Sequence, residues 1–161
     1  MCDGVVKGVY KENNPMYAYK VYDRFKIYRP LADKYTKWRN NLTPYDIQGY
    51  EQLPKKGDLL IITKSMKDVM CLYEMGYTAI SPASESTFLT PDVIDALKLR
   101  FKRILICFDR DVPGVKNMRK ISLKTGLNGF LVHKKFQSKD ISDAIKNNGF
   151  EVIKNWLKET L

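Results

Sequence analysis

The stretch RILICFDRDVPG, Arg103 to Gly114, decides how the rest of the chain is read. RILICF is the most apolar run of the sequence and is predicted to be a buried strand. Asp109 and Asp111 follow it directly, and Gly114 lets the chain turn into a basic helix expected from about Pro113 to Thr125. The same strand, turn, helix order recurs on either side. Upstream, LLIIT (Leu59 to Thr63) reads as a buried strand, and Ser65 to Glu74 as an amphipathic helix with Met66, Val69, Met70 and Tyr73 inward, ended by Gly76. Thr78 to Ile80 is a short strand, and Thr90 to Leu99 a helix with Pro91 at its first position. Downstream come a strand over Gly129 to Val132 and a helix over Asp140 to Asn147. A last helix from about Phe150 places Phe150, Ile153, Trp156 and Leu157 on one face. Strands alternating with helices imply right-handed crossovers and a mostly parallel sheet flanked by helices, an α/β fold.

The texture before residue 58 is different. Eight of the ten tyrosines lie there, with Trp38 and eleven Lys or Arg, and the PKKGD turn (Pro54 to Asp58) closes the segment. Tyr17, Tyr19 and Val21 alternate onto one face of a strand, and Asp23-Arg24 followed by Phe25 and Ile27 predicts a hairpin. Thr43-Pro44-Tyr45-Asp46 has the pattern of a short helix start. A small basic α+β lobe over residues 1–58 is therefore expected beside an α/β domain over residues 59–161.

At 161 residues and 18.7 kDa the chain has the size of one domain or a domain with a small lobe. Its 28 Lys and Arg against 18 Asp and Glu give a net charge of +10, an excess that favours a polyanionic partner such as nucleic acid. The excess is spread, with 11 basic against 7 acidic residues up to residue 58 and 17 against 11 beyond it. No apolar run approaches the roughly 20 residues of a membrane span, and MCDGVVKGVYKENN has no signal-peptide apolar region, so a cytoplasmic protein without a membrane partner is expected. Cys2, Cys71 and Cys107 are too few and too scattered for a disulfide framework or a zinc site. No GxxxxGK[ST] or GxGxxG segment is present.

In an open α/β sheet, chemistry is expected beyond the carboxyl ends of the strands. Asp109 and Asp111, two residues apart on extended chain, can aim at one side of a strand end and suit a hard divalent cation; equally, Asp111 can cap the basic helix at a solvated turn. Asp140 and Asp143 open a later helix, where capping and the helix dipole account for both better than metal binding does. Ser65 and Asp68 fit a capping box, and Lys64 ends its strand where a phosphate could be met. His133 has no nucleophile placed beside it and reads as structural. Lys20, Arg24, Lys26, Arg29, Lys34, Lys37 and Arg39 interleave with tyrosines and Trp38. With Lys116, Arg119, Lys120 and Lys124 of the basic helix they offer charge for phosphates and rings for bases, as single-stranded nucleic acid requires. Core and hairpin packing accounts for part of the same aromatics.

The order of the pieces from Leu59 on resembles the Toprim domain shared by DnaG-type primases of bacteria and phages, type IA and II topoisomerases and some nucleases. LLIITKSMKDVMCLYEMGYTAISP looks like the first motif through the second strand, FDRDVPGVKNMRK like the DxD motif, and SKDISDAI like the third acidic segment of primase versions. FKIYRPLADKYTKWRNN followed by IQGYEQLP resembles the region upstream of Toprim in phage-type primases.

The resemblance implies a primase of a phage or related mobile element: metal-dependent synthesis of short RNA primers from ribonucleoside triphosphates on single-stranded DNA. It implies Mg²⁺ or Mn²⁺ on Asp109 and Asp111 with Asp140 and Asp143 assisting, and Lys64 on phosphate. Lys116, Arg119, Lys139 and the N-terminal cations Lys20, Arg24, Lys26, Arg29, Lys37 and Arg39 would hold nucleotide or template. A replicative helicase or zinc-binding module in cis or in trans is the partner it implies. One departure stands out: the family's first motif carries Glu where this chain has Lys64, with Ser65 in place of the following Gly. Glu85, in the loop after the second strand, is a candidate replacement carboxylate. A non-catalytic nucleic-acid-binding Toprim module and a Toprim nuclease are the alternative readings.

Overall fold

The computed structural model describes residues 15–84 and 88–161. The N-terminal stretch to residue 14, with Cys2, lies outside the described residues.

The element that organises the chain is a four-stranded parallel sheet in the order β5-β4-β6-β7. β4 (Gly57–Thr63) and β6 (Phe101–Cys107) are its centre, running in register from Gly57 beside Phe101 to Thr63 beside Cys107. β5 (Ala79–Ile80) and β7 (Asn128–Phe130) are short edges. Apolar residues point both ways from the central strands because helices cover both faces. Ile61 and Cys107 face one core with α1 (Met66–Glu74), α4 (Ile141–Asn148) and α5 (Phe150–Thr160). Leu60, Ile62, Ile104 and Ile106 face the other, with α2 (Pro91–Arg100) and α3 (Val112–Thr125).

The connectivity explains the layering. The chain steps from β4 outward to β5, then back across β4 to β6 and on to β7. With right-handed crossovers, the two opposite directions put α1 on one face and α2 and α3 on the other. The reversal leaves a crevice beyond the carboxyl ends of β4 and β6, where open α/β sheets bind ligands.

The basic N-terminal region forms a separate antiparallel sheet, β1 (Tyr17–Val21), β2 (Arg24–Tyr28) and β3 (Trp38–Asn40), in that order. A tight turn with Tyr22 at φ 54° joins the first two strands, as the Asp23-Arg24 pair predicts. Tyr19 and Val21 are buried, and Tyr19 packs into the core that holds α1. Residues 46–53 lie against the parallel sheet: Ile47 joins the core on the α2 side and Gln48 bridges to Ser81.

Two expectations are corrected. Thr43 to Asp46 starts no helix: the Asp46 N–H closes a single turn on the Thr43 carbonyl (3.1 Å), Thr43 donates from its backbone N–H and hydroxyl to Asp46 Oδ2 (2.5 and 2.7 Å), and the chain beyond is drawn into pairing of Gln48 with Ser81. α1 is rotated relative to the predicted apolar stripe. Met70 and Tyr73 are exposed, whereas Asp68 and Leu72 are buried beside Met66 and Val69.

Candidate functional site

Acidic side chains gather in the crevice, each positioned by a different element. Asp109 emerges two residues past the end of β6, and Lys64 one residue past the end of β4. The Lys64 ammonium lies 3.3 Å from Asp109 Oδ2, with both side chains mostly buried (16 and 11% exposed), so this ion pair closes the switch point of the sheet. Burial pushes the Asp109 carboxyl up. Lys64 pulls it back, and the charges of Asp140 and Asp111 add to the upward push.

Asp111 caps α3, its Oδ1 accepting the Gly114 N–H at 2.7 Å. Gly114 is required by close approach: a Cβ there would run into the Asp109 carbonyl oxygen and sit 3.0 Å from Asp111 Oδ1. Between the two aspartates, Arg110 is stitched to the far segment, its backbone N–H donating to Lys139 O (2.7 Å) and its Nε to Val132 O (2.5 Å). The acidic turn is thus clamped from two sides.

Asp140 caps α4, its Oδ1 accepting from the Asp143 N–H (2.7 Å) and the Ser142 hydroxyl (2.9 Å). Beside it lies Asp68, which the sequence marks only as a capping acid. Its backbone N–H donates to Ser65 Oγ at 3.3 Å, as the capping box predicts, and its Oδ2 accepts the Ser65 hydroxyl at 2.7 Å, but its Oδ1 reaches across the fold to the Ser142 N–H at 2.9 Å. Burial first, then the charge of Asp140, lifts its carboxyl to about 6, against the stabilising donors Ser65 and Ser142 and the Lys67 ammonium. The signal for Asp68 was its place on α1's buried face, which the predicted stripe of Met66, Val69, Met70 and Tyr73 put elsewhere.

The expected metal set is therefore only partly assembled. Among the described residues no three His, Cys, Asp or Glu side chains are grouped to hold a metal ion. Asp109 and Asp111 are all-oxygen donors at one strand end, which fits a cation of the Mg²⁺ type, since that ion is held by one or two carboxylates and completed by water and phosphate. Asp140 and Asp143 stand at the start of α4 and serve it as cap and first-turn acid. Glu85 lies outside the described residues. Thiol chemistry finds no support: burial lifts the Cys71 thiol to about 11 and the Cys107 thiol well above its ordinary value. His133 is exposed, and its Nδ1 accepts the Lys135 N–H, a local structural role.

Cations surround the crevice. A cavity of about 800 Å³ opens from Lys64 between α2 and α3, floored by Phe88, Ile94 and Phe108 and edged by Lys116, Lys120 and Lys124. A smaller one of about 420 Å³ lies on the other side of α3, between Arg110, Asp111, Lys116 and Arg119. Lys139 is exposed beside the Arg110 clamp. In the antiparallel sheet Lys20 and Arg39 are exposed. Arg24 is held by Asp46 (3.5 Å) and Asn41 O (2.8 Å), Arg29 by Thr36 O, and Lys26 by Ala83 O (3.1 Å), whereas Lys37 lies over the Tyr28 ring. Several of the expected phosphate ligands thus also tie the lobe together.

The profile of the Toprim-like family matches residues 61–145, more than half of the chain. Among solved structures the fold is similar to the primase fragment of the bacteriophage T7 primase-helicase protein, at TM-score 0.67 and 16% identity, covering 91% of this chain and 63% of that one. It is also similar to a DnaG primase catalytic domain bound to ssDNA, at TM-score 0.63 and 18% identity over 84% of this chain and 47% of that one. The E. coli primase catalytic core matches at TM-score 0.59 and 18% identity, over 83% and 47% of the two chains. The chain thus spans about half the length of the two DnaG-type cores, and at these identities the likeness is one of fold. No curated protein sequence matches it.

Proposed function

This chain belongs to the Toprim-like family, and on that premise we propose that it is the catalytic core of a DnaG-type primase, making short RNA primers on single-stranded DNA during replication. In this reading residues 1–58 form the basic lobe and residues 59–161 the Toprim catalytic domain of a phage-like nucleotidyltransferase working in the cytoplasm. No helix among the described residues is long and apolar enough to cross a membrane. A replicative helicase or zinc-binding module, in cis or in trans, supplies what the core does not.

The observation that carries the proposal is the pair Asp109 and Asp111, clamped at the switch point of the sheet and bordered by the cationic face of α3. Mg²⁺ or Mn²⁺ on these two carboxylates would neutralise charge developing on a transferring phosphoryl group. The chain's own residues do the rest. Arg110 and Gly114 hold the acidic turn rigid. Asp140 adds negative charge to the crevice, which after burial contributes to the lift of the Asp109 carboxyl. Lys64 neutralises Asp109, and a triphosphate would give its ammonium a second anionic partner in the same place. Lys116 and Arg119 line the path by which phosphates approach.

The Lys64–Asp109 ion pair also favours a second reading, a non-catalytic nucleic-acid-binding module in which the ammonium replaces a cation permanently. Labelled ribonucleotides, a single-stranded template and Mg²⁺ or Mn²⁺ separate the readings when wild type is compared with Asp109→Ala. Primers from wild type alone support the primase. Salt-sensitive DNA binding without product supports the module, and shortened template a Toprim nuclease.

A further inference from the structure

The antiparallel sheet carries a row of aromatic rings, one from each strand. Tyr17 pairs with Tyr28, and Tyr28 with Trp38, so the side chains leave the same face. Their centroids are 6.3 and 4.3 Å apart with planes inclined by 28° and 23°, a continuous offset stack across the sheet. Further along this face, Tyr19 and Val21 are buried, Tyr19 against the core of α1. The two ends of the row are open, Tyr17 being 53% and Trp38 37% exposed, while Tyr28 between them is partly buried against the core of α1.

Cations frame the row. The Lys26 ammonium lies 5.2 Å from the Trp38 ring centroid, and those of Lys37 and Lys67 lie 5.9 and 5.8 Å from that of Tyr28. The same lysines connect the row to the crevice. Lys67 Nζ donates to Ser142 Oγ at 3.3 Å, and that hydroxyl donates to Asp140. Lys26 Nζ donates to the Ala83 carbonyl, just past β5. The exposed rings therefore border the acidic crevice.

We propose that the Tyr17–Tyr28–Trp38 row is a base-stacking platform for single-stranded nucleic acid, on which an unpaired base extends the stack from its exposed Trp38 end while the flanking lysines meet phosphates. Rings give sequence-tolerant stacking and lysines give charge, the two requirements of single-strand binding. The primase reading enters only in identifying that strand as template.

Trp38 reports on its own occupancy once Trp156, the other tryptophan, is replaced in a Trp156→Phe chain. Oligothymidylate is expected to quench its emission saturably, and an abasic oligomer of equal length and charge is not. Trp38→Ala should weaken oligothymidylate binding roughly five- to a hundredfold, with Trp38→Phe restoring most of it and circular dichroism unchanged. If Trp38→Ala disturbs the fold, Trp38→Leu, which keeps an apolar side chain but no ring, gives the same comparison. Equal binding of abasic and base-bearing strands, or unchanged affinity in a folded Trp38→Ala or Trp38→Leu chain, overturns the platform. Base-dependent quenching in a chain that makes no primers keeps the platform and removes the primase reading; primer synthesis without it removes the platform alone.

Discussion

The crevice beyond the parallel sheet and the aromatic row of the antiparallel sheet hold their polar and aromatic groups by opposite means. In the crevice, Asp68, Asp109 and Asp140 are fixed by helix caps, backbone donors and an ion pair, and Asp68 and Asp109 are taken out of water at the cost of raised carboxyls. On the antiparallel sheet the rings are fixed by strand register, with Tyr17 and Trp38 left exposed and Tyr28 partly buried between them. Buried charge is preorganised and sensitive to any change of its partners; an exposed stack depends only on its backbone. Substitutions in the crevice should therefore change stability and chemistry together, whereas those on the row should change strand binding alone.

The sharpest way to break this contrast is Lys64→Glu. It removes the ammonium from a mostly buried carboxylate and sets a like charge beside it, so a loss of about 3 kcal/mol is expected, seen as a fall in melting temperature of roughly 6–12 °C. Mg²⁺ should recover part of this loss in Lys64→Glu and change the wild type little. A variant as stable as wild type without Mg²⁺ would show that the pair does not hold the crevice.

Gly114→Ala comes next. Its Cβ meets the Asp109 carbonyl and the Asp111 cap, both backbone-anchored, so about 1–3 kcal/mol should be lost on thermal unfolding. Tolerance of alanine would mean that the turn is looser than its clamps imply.

A smaller and pH-dependent effect is expected of Asp68→Asn. Asparagine keeps an acceptor for the Ser142 N–H and can donate to Ser65. Because the folded carboxyl titrates near 6, above the roughly 3.9 of an unfolded aspartate, the folded chain binds more protons between those values. This group's contribution to stability therefore grows as pH falls from about 6 towards 4 and is lost as pH rises through 6. The carboxyls held low, Asp33, Asp46 and Asp58, act in the opposite sense, so the difference between variant and wild type isolates Asp68. Melting curves from pH 4 to 8 should show Asp68→Asn gaining on wild type as pH rises through 6; parallel curves would contradict it.

Least of all is expected from Lys102→Ala. Its contact to Asp58 is shorter, at 2.7 Å, than the Lys64–Asp109 pair, but both side chains are more than 80% exposed. Solvent screening should leave the melting temperature unchanged within error, and a clear drop would show that distance rather than burial ranks the ion pairs of this chain.

The parallel sheet, its helices and the acidic turn were legible because they rest on local signals: apolar runs, Pro and Gly punctuation, and DxD at a strand end. Asp68 was not, since its partner Ser142 lies 74 residues away and its capping motif already explained it. Nor was the partnership of Lys64 with Asp109, which depends on the pairing of β4 with β6. The aromatic row was visible as a composition of rings and cations but not as a row, because register places Tyr17, Tyr28 and Trp38 together. The helix expected at Thr43 gave way to pairing of Gln48 with Ser81, a contact distant in sequence that residue types alone do not specify.

Template-directed ribonucleotide incorporation tests the central claim most directly. On a single-stranded template with Mn²⁺ or Mg²⁺, wild type is expected to make short labelled RNA, and Asp109→Ala at least about a hundredfold less while binding the strand equally well. Equal product from both chains, or none from wild type together with undiminished strand binding, would contradict the assignment of this crevice to primer synthesis.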